Sequence, residues 1–298
     1  MSIAIDLSQL PPPDVIETLD FERINTEIQA DLIERMPELA DVLQLESEPI
    51  TKLIEVCSYR EMLLRARVND AARALLLAYS TGSDLEHKAA ELNIARLQVS
   101  AANPATNPPT PAIYESDERL RLRVQMAPES ATVAGPEGSY IFQALSASAK
   151  VRDVAISSPL PGDVLVTILS TDASMLADAD LIATVQGHLS GKKVRPLNDT
   201  VIVQAAQIID YTVTALIHCY PGPASGPVLD AAIAALSAYA DSTAKIGEDI
   251  TLSGIYAALH RPGVKRVELI APTADIVIGP TQAARCVGAA ISMGAADV

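Results

Sequence analysis

The chain has 298 residues, enough for roughly two domains with cores of their own. Its formal net charge is −15, it has no Trp, and its only phenylalanines are Phe21 and Phe142; a duplex or an anionic membrane surface repels such a chain, and aromatic platforms for stacking on bases are lacking. Cys57, Cys219 and Cys286 are far apart, odd in number and form no CxxC pair, so neither a disulfide framework nor a zinc site is indicated.

The start, MSIAIDLSQLPPPDVIE, has no basic n-region and no long apolar run, so it does not read as a signal peptide. No later segment approaches the length of a membrane span. The expected compartment is the cytoplasm, unless the protein leaves as part of a larger particle. Residues 1–19 read as an extended arm. Pro11, Pro12 and Pro13 favour polyproline geometry and forbid a helix. Ile3, Ile5, Leu7, Leu10, Val15 and Ile16 make the arm apolar, which predicts that it packs on something, with a partner chain the leading expectation.

Residues 20–96 read as a helical bundle domain. Asp20 can cap a helix that carries Ile24, Ile28 and Leu32 every four residues and stops at Pro37. A long helix is predicted from about Pro49 to Ser80, spanning about 45 Å at 1.5 Å per residue. Ile50, Ile54, Cys57, Leu64, Val68 and Leu75, with Ala71 and Ala78, step by fours and threes across the one interruption at Glu61, which is a heptad seam. A second apolar line at Leu53, Val56, Leu63 and Leu77 widens the face. One helix with two apolar lines wants more than one neighbour, so part of this surface is expected to await another subunit. Arg60, Arg65, Arg67 and Arg73 cluster on the same helix among Glu55, Glu61 and Asp70, which reads as surface ion pairing or a protein contact.

The stretch Tyr79-Ser80-Thr81-Gly82-Ser83-Asp84 has two readings, a ligand loop or a helix corner. Gly82 stands where a left-handed residue would end the long helix, and Ser83 with Glu86 fits a capping box that starts the next. A ligand loop would need a preceding strand and further glycines, which are missing, so the corner is preferred.

Residues 97–118 form a proline-rich linker with little regular structure expected. The rest reads as an α+β module over 119–222 and a second over 223–298 with a C-terminal tail, built of meander strands under helices. Strands are expected at 151–158, 163–170, within 199–219, and at 265–270 and 274–279; helices at 173–190, 228–241 and 252–260. The run from Val151 to Ser158-Pro159 resembles that from Val264 to Ala271-Pro272, which suggests two modules of related plan.

Chemistry is hard to place. His87, His188, His218 and His260 lack metal-ligand spacing, and His218 and Cys219 point to opposite faces of one strand. Glu115, Asp117 and Glu118 before Arg119, Arg121 and Arg123 look like a solvated helix start, with a metal site as the lesser reading. A soluble enzyme using that acidic cluster or a histidine is the alternative function; no cofactor and no catalytic residue is assigned.

Four segments carry a resemblance: LPPPDVIETLDFERI, RARVNDAARALLLAYSTGSDLEHKAAELNI, ESDERLRLRVQMAPESATVAGPEGSYIFQALSASAKVRDVAISSPLPGDVLVTIL and IGEDITLSGIYAALHRPGVKRVELIAP. Together, in this order, they resemble the baseplate assembly protein J family of contractile phage tails and R-type bacteriocins, in its small P2-type version. The resemblance implies a structural wedge protein. Its partners would be a second copy of itself, a tail protein I-like chain, a lysozyme-like W-like sheath initiator, and hub or spike proteins. It implies no nucleic-acid or membrane partner. Six wedges would ring the hub and pass the trigger to the sheath, with residues 20–96 as the inter-subunit bundle.

Overall fold

Asp20 starts the first helix as its sequence predicts. In the computed structural model its carboxylate accepts from the amides of Glu22 (3.0 Å) and Arg23 (3.3 Å) and so satisfies two orphan donors of α1 (Phe21–Arg35). The structure describes residues 5, 7, 10–11, 13–132, 135–191, 194–220 and 225–294; Pro12 of the arm and the Pro221-Gly222-Pro223 break lie outside them. The chain divides into two units, one built from the residues up to Arg96 with Ser116–Gln125, the other from Leu97–Glu115 with Met126 onward.

In the first unit α1 packs against the long helix α2 (Pro49–Ala74), with two short 3-10 turns, Pro37–Leu39 and Val42–Gln44, between them. Pro49 sits in the first turn of α2, where its missing N–H costs nothing. Helix α2 ends at Ala74, short of the expected Ser80. Residues 75–80 turn instead, and the carbonyls of Leu77 and Ser80 accept from Arg121 at 2.8 and 2.7 Å. Helix α3 (Gly82–Glu91) follows. Helix α4 (Asp117–Met126) belongs with these helices, although its sequence position suggested the next module. The bonds of Arg121 to the carbonyls of Leu77 and Ser80 tie it there.

In the second unit the proline-rich stretch is more regular than its composition suggests. Strands β1 (Gln98–Ser100) and β2 (Ile113–Tyr114) pair antiparallel, and Asn103 and Thr110 exchange both backbone bonds at 2.9 and 3.0 Å. The prolines fall in the exposed segment between the strands, where no ladder amide is required.

A central layer follows: α5 (Glu137–Ala147), β3 (Val151–Ser157), β4 (Asp163–Ser170), α6 (Ala179–Leu189) and β5 (Thr200–Ala205). Its core includes Tyr140, Leu145, Val151, Val166, Ile168 and Val185. The last layer holds β6 (Gln207–Cys219), α7 (Ser225–Thr243), α8 (Leu252–Leu259), β7 (Val264–Ala271) and β8 (Gln282–Met293). Val213, Ala215 and Ile217 of β6 pack with Ala232 and Leu236 of α7 and Ile255 and Leu259 of α8. Leu169, Met175, Ala206, Ala244 and Ala283 join the two layers in one small apolar cluster.

The α+β class is as expected, but the sheets are mixed and are not simple meanders. Strand β4 pairs antiparallel with β3 and parallel with β5; β6 pairs antiparallel with β7 and parallel with β8. A parallel neighbour needs a crossover, and α6 supplies it between β4 and β5. The two sheets therefore share a pairing plan but not a chain order, β3-β4-β5 against β7-β6-β8. They divide between Ala205 and Gln207, earlier than the module boundary set at 222/223 from the proline-glycine break. The strand expected at 274–279 is reduced to one bridge between Ile250 and Ile276, and β8 appears where none was expected. Its sequence, QAARCVGAAISM, is poor in β-branched residues. Parallel pairing with β6 from Gln207 to Ile217 overrides that weak propensity.

Candidate functional site

Helix α2 has two unlike faces. Thr51, Ile54, Ser58 and Asn69 are buried on the side that meets its own chain. Three of the four are polar, and two are held by hydrogen bonds. Ser58 Oγ lies 2.8 Å from the Ile54 carbonyl and 3.1 Å from Asn25 Oδ1 of α1. Asn69 Nδ2 donates to the Glu17 carbonyl at 2.9 Å, and its Oδ1 accepts from the Glu17 amide at 3.1 Å. Arg65 adds a bond to the Glu17 carboxylate at 3.1 Å and one to Glu61 at 2.6 Å. Thr51 Oγ1 is buried with no hydrogen-bond partner among the described residues.

The large apolar side chains lie on other lines of the same helix. Leu53, Val56, Leu63, Leu64, Val68 and Leu75 are all exposed, Leu64 at 68 % and Leu75 at 72 %. The heptad line through Cys57, Leu64, Val68 and Leu75 lies roughly a third of a turn from the line of Thr51, Ser58 and Asn69, at 3.6 residues per turn. Of the predicted interface residues, Ile54 belongs to the chain's own core at 6 % exposure and Ile50 is half-buried, while Cys57, Leu64, Val68 and Leu75 face outward. Leu75 is the C-cap residue rather than a member of the helix body. Burying six such side chains represents roughly 10 kcal/mol before the costs of association.

The arm's described residues are fastened to their own chain. Besides Glu17, the Leu10 carbonyl accepts from Tyr79 Oη at 3.3 Å and the Ile5 carbonyl from Gln125 Nε2 at 2.6 Å. Pro11 is exposed and Pro13 half-buried. Asn69 clasps the arm, and its only signal in the sequence is a run of small or polar residues, Thr51, Ser58, Asn69 and Ala72, at helical spacing beside the leucines.

The corner keeps its glycine and loses its capping box. Gly82 has φ +52°, the left-handed value that glycine adopts without a Cβ penalty. It opens α3 rather than closing α2, and Thr81 is the N-cap residue without a side-chain bond. Glu86 turns away from Ser83 to Arg96, 2.7 Å from its Nε. The amide of Gly82 donates to Asp117 Oδ2 of α4 at 3.0 Å, and Arg96 Nη2 bonds Asp117 Oδ1 at 2.6 Å. A carboxylate from a distant helix thus replaces the local cap, because it also neutralises the buried side of Arg96. The Gly82 amide and then the Arg96 guanidinium hold the Asp117 carboxyl below its usual range. Glu118 is lowered by its own amide and the Ser116 hydroxyl, and Glu115, buried, accepts from the Leu97 amide at 2.9 Å. The acidic cluster is therefore a set of caps and ties.

The histidines are dispersed. His87 is exposed on α3, and His188 Nε2 on α6 lies 2.9 Å from Gln143 Oε1. His218 is buried on β6, 3.2 Å from Arg266 and 3.6 Å from Glu268. His260 is the C-cap of α8, its amide donating to the Tyr256 carbonyl. Among the described residues no group of three His, Cys, Asp or Glu could hold a metal ion, and no helix is long and apolar enough to cross a membrane.

Three family profiles match the chain in succession: the baseplate J-like N-terminal domain over residues 46–103, the central domain over 132–205 and the C-terminal domain over 211–292. The first contains all of α2 and α3, and the second gives way to the third where β5 gives way to β6. The chain is 47 % identical over 298 residues to Baseplate protein J of Escherichia phage P2, an alignment covering 98 % of this chain and 99 % of that protein. These matches show that the chain belongs to the baseplate J-like family.

Proposed function

We propose that the protein is a wedge component of a tail baseplate, built into a ring around the hub and coupling the trigger to sheath contraction. Its family gives it a structural baseplate role. The single observation that carries the finer reading is the outward face of α2, where Leu64, Val68 and Leu75 stand in water while the inward face buries Ile54 among the polar Thr51, Ser58 and Asn69. A monomer has no use for this arrangement, and a helix bundle shared between chains does.

In this reading a second copy and a tail protein I-like chain contribute the remaining helices, and the W-like sheath initiator sits on the bundle. The sheet layers make wedge-to-wedge contacts, and hub or spike proteins lie inside the ring. The non-enzymatic reading is supported by Glu115, Asp117 and Glu118, each occupied in capping or tying the backbone.

The test is Leu64→Asp, co-expressed with the other baseplate proteins. The expected outcome is loss of co-purification and of functional particles, with the circular dichroism of the purified chain unchanged. Normal assembly of this variant would remove α2 from the interface.

A further inference from the structure

Two of the four arginines clustered on α2 have ion-pair partners in the chain. Arg65 bonds Glu61 and Glu17, and Arg73 lies 3.4 Å from Asp70. Arg60 and Arg67 are exposed and have no ion-pair partner among the described residues. They stand seven residues apart, on one line of the helix. That line runs through the outward apolar face. Val56, Leu63 and Leu64 neighbour Arg60, and Leu63, Leu64 and Ala71 neighbour Arg67, all at three- or four-residue steps. Covering the leucines with another helix therefore brings both guanidinium groups to the contact, and a charge taken from water without a partner opposes association.

A second α2 does not solve this. Parallel pairing in register sets Arg60 against Arg60 and Arg67 against Arg67. Antiparallel pairing centred between Leu63 and Leu64 sets Arg60 against Arg67. The acids of α2 that could answer are engaged: Glu61 with Arg65, Asp70 with Arg73, and Glu55 with Lys52 at 2.9 Å. We infer that the helix seated directly on this face belongs to a different protein, and that its apolar stripe carries two carboxylates seven residues apart, one for Arg60 and one for Arg67. The inference rests on the bundle reading and adds the partner's chemistry and register to it. A slip of one heptad leaves one ion pair of two, and a slip of three or four residues leaves neither, so the pair selects a single alignment that leucines alone do not.

The experiment uses the full chain and two alanine-rich helical peptides of the same 26-residue length as α2, each with one leucine stripe. One peptide has Glu at two stripe-flanking positions seven residues apart, and the other has Lys there. Binding is read by fluorescence anisotropy. The Glu peptide is expected to bind about tenfold more tightly than the Lys peptide, two attractions replacing two repulsions. The double variant R60E/R67E should reverse the preference, and salt at about 0.5 M should shrink it. Leu64→Asp should lose both peptides. Equal binding of the two peptides, or a preference that survives R60E/R67E, overturns the charge assignment. If both peptides bind equally and Leu64→Asp loses both, the bundle reading stands without it. If the wild-type chain binds neither peptide, or Leu64→Asp binds both as well as the wild type, the bundle reading falls and takes this inference with it.

Discussion

Helices α2 and α7 make an instructive pair, because they direct their apolar residues oppositely. In α7, Ala232 and Leu236 are buried against β6 and α8, in a cluster that includes Val213, Ala215, Ile217, Ile255 and Leu259. In α2 the side toward the chain buries Ile54 with the polar Thr51, Ser58 and Asn69, and the leucines face water. The first arrangement completes its core with its own sheet. The second leaves its apolar surface in water and holds the helix in position with hydrogen bonds. A polar seam serves that purpose, since it fixes α2 and the arm in one geometry without competing for the leucines.

The largest expected effect lies in the self-contained region. Ile217 is fully buried between sheet and helices, so Ile217→Ala should cost about 2–5 kcal/mol in urea unfolding. A cost near zero would mean that this layer, too, depends on a neighbour. Next comes the polar seam. Asn69→Ala removes both bonds to Glu17 and should cost about 1–3 kcal/mol, with faster proteolysis of the arm ahead of α1 as the local readout. An unchanged digestion pattern would show that the arm is held by other contacts.

The corner responds to acid. Asp117 has its folded-state pKa depressed, so its stabilising contribution is present above the ordinary carboxylate range and is lost as pH falls through the lowered value. Asp117→Asn should flatten the acid limb of the stability profile, measured by thermal unfolding from neutral to low pH. An acid limb identical to wild type would assign the sensitivity elsewhere. The smallest effect on stability belongs to Leu64→Asp, expected within about 0.5 kcal/mol of wild type because the side chain is already in water. Its large effect on assembly beside its small effect on folding is the sharpest form of the contrast between the two helices.

Much of the fold is legible in the sequence for local reasons. Asp20 before an amphipathic run starts α1, Pro49 opens α2, and the β-branched runs at 151–157, 163–170 and 207–219 become strands. What escapes is set by residues far away in sequence. Strand β8 exists because β6 offers it a partner, not because QAARCVGAAISM favours extension. Helix α2 stops at Ala74 although the apolar pattern continues, where Arg121 takes the carbonyls of the following turn. The capping box at Ser83 and Glu86 is outcompeted by Arg96, beyond the end of α3, and by Asp117, farther along the chain.

The candidate site divides the same way. The sequence by itself determined that α2 carries more apolar lines than one neighbour can cover, since helical spacing fixes which side chains share a line. Only the tertiary structure decided which line the chain keeps. It chose the line of Thr51, Ile54, Ser58 and Asn69, where the hydrogen bonds of Ser58 to Asn25 and of Asn69 to Glu17 need partners that α1 and the arm supply. Leucines can be buried by any apolar surface, so they were left outside; a buried amide must find its own donors and acceptors, and those lay within the chain.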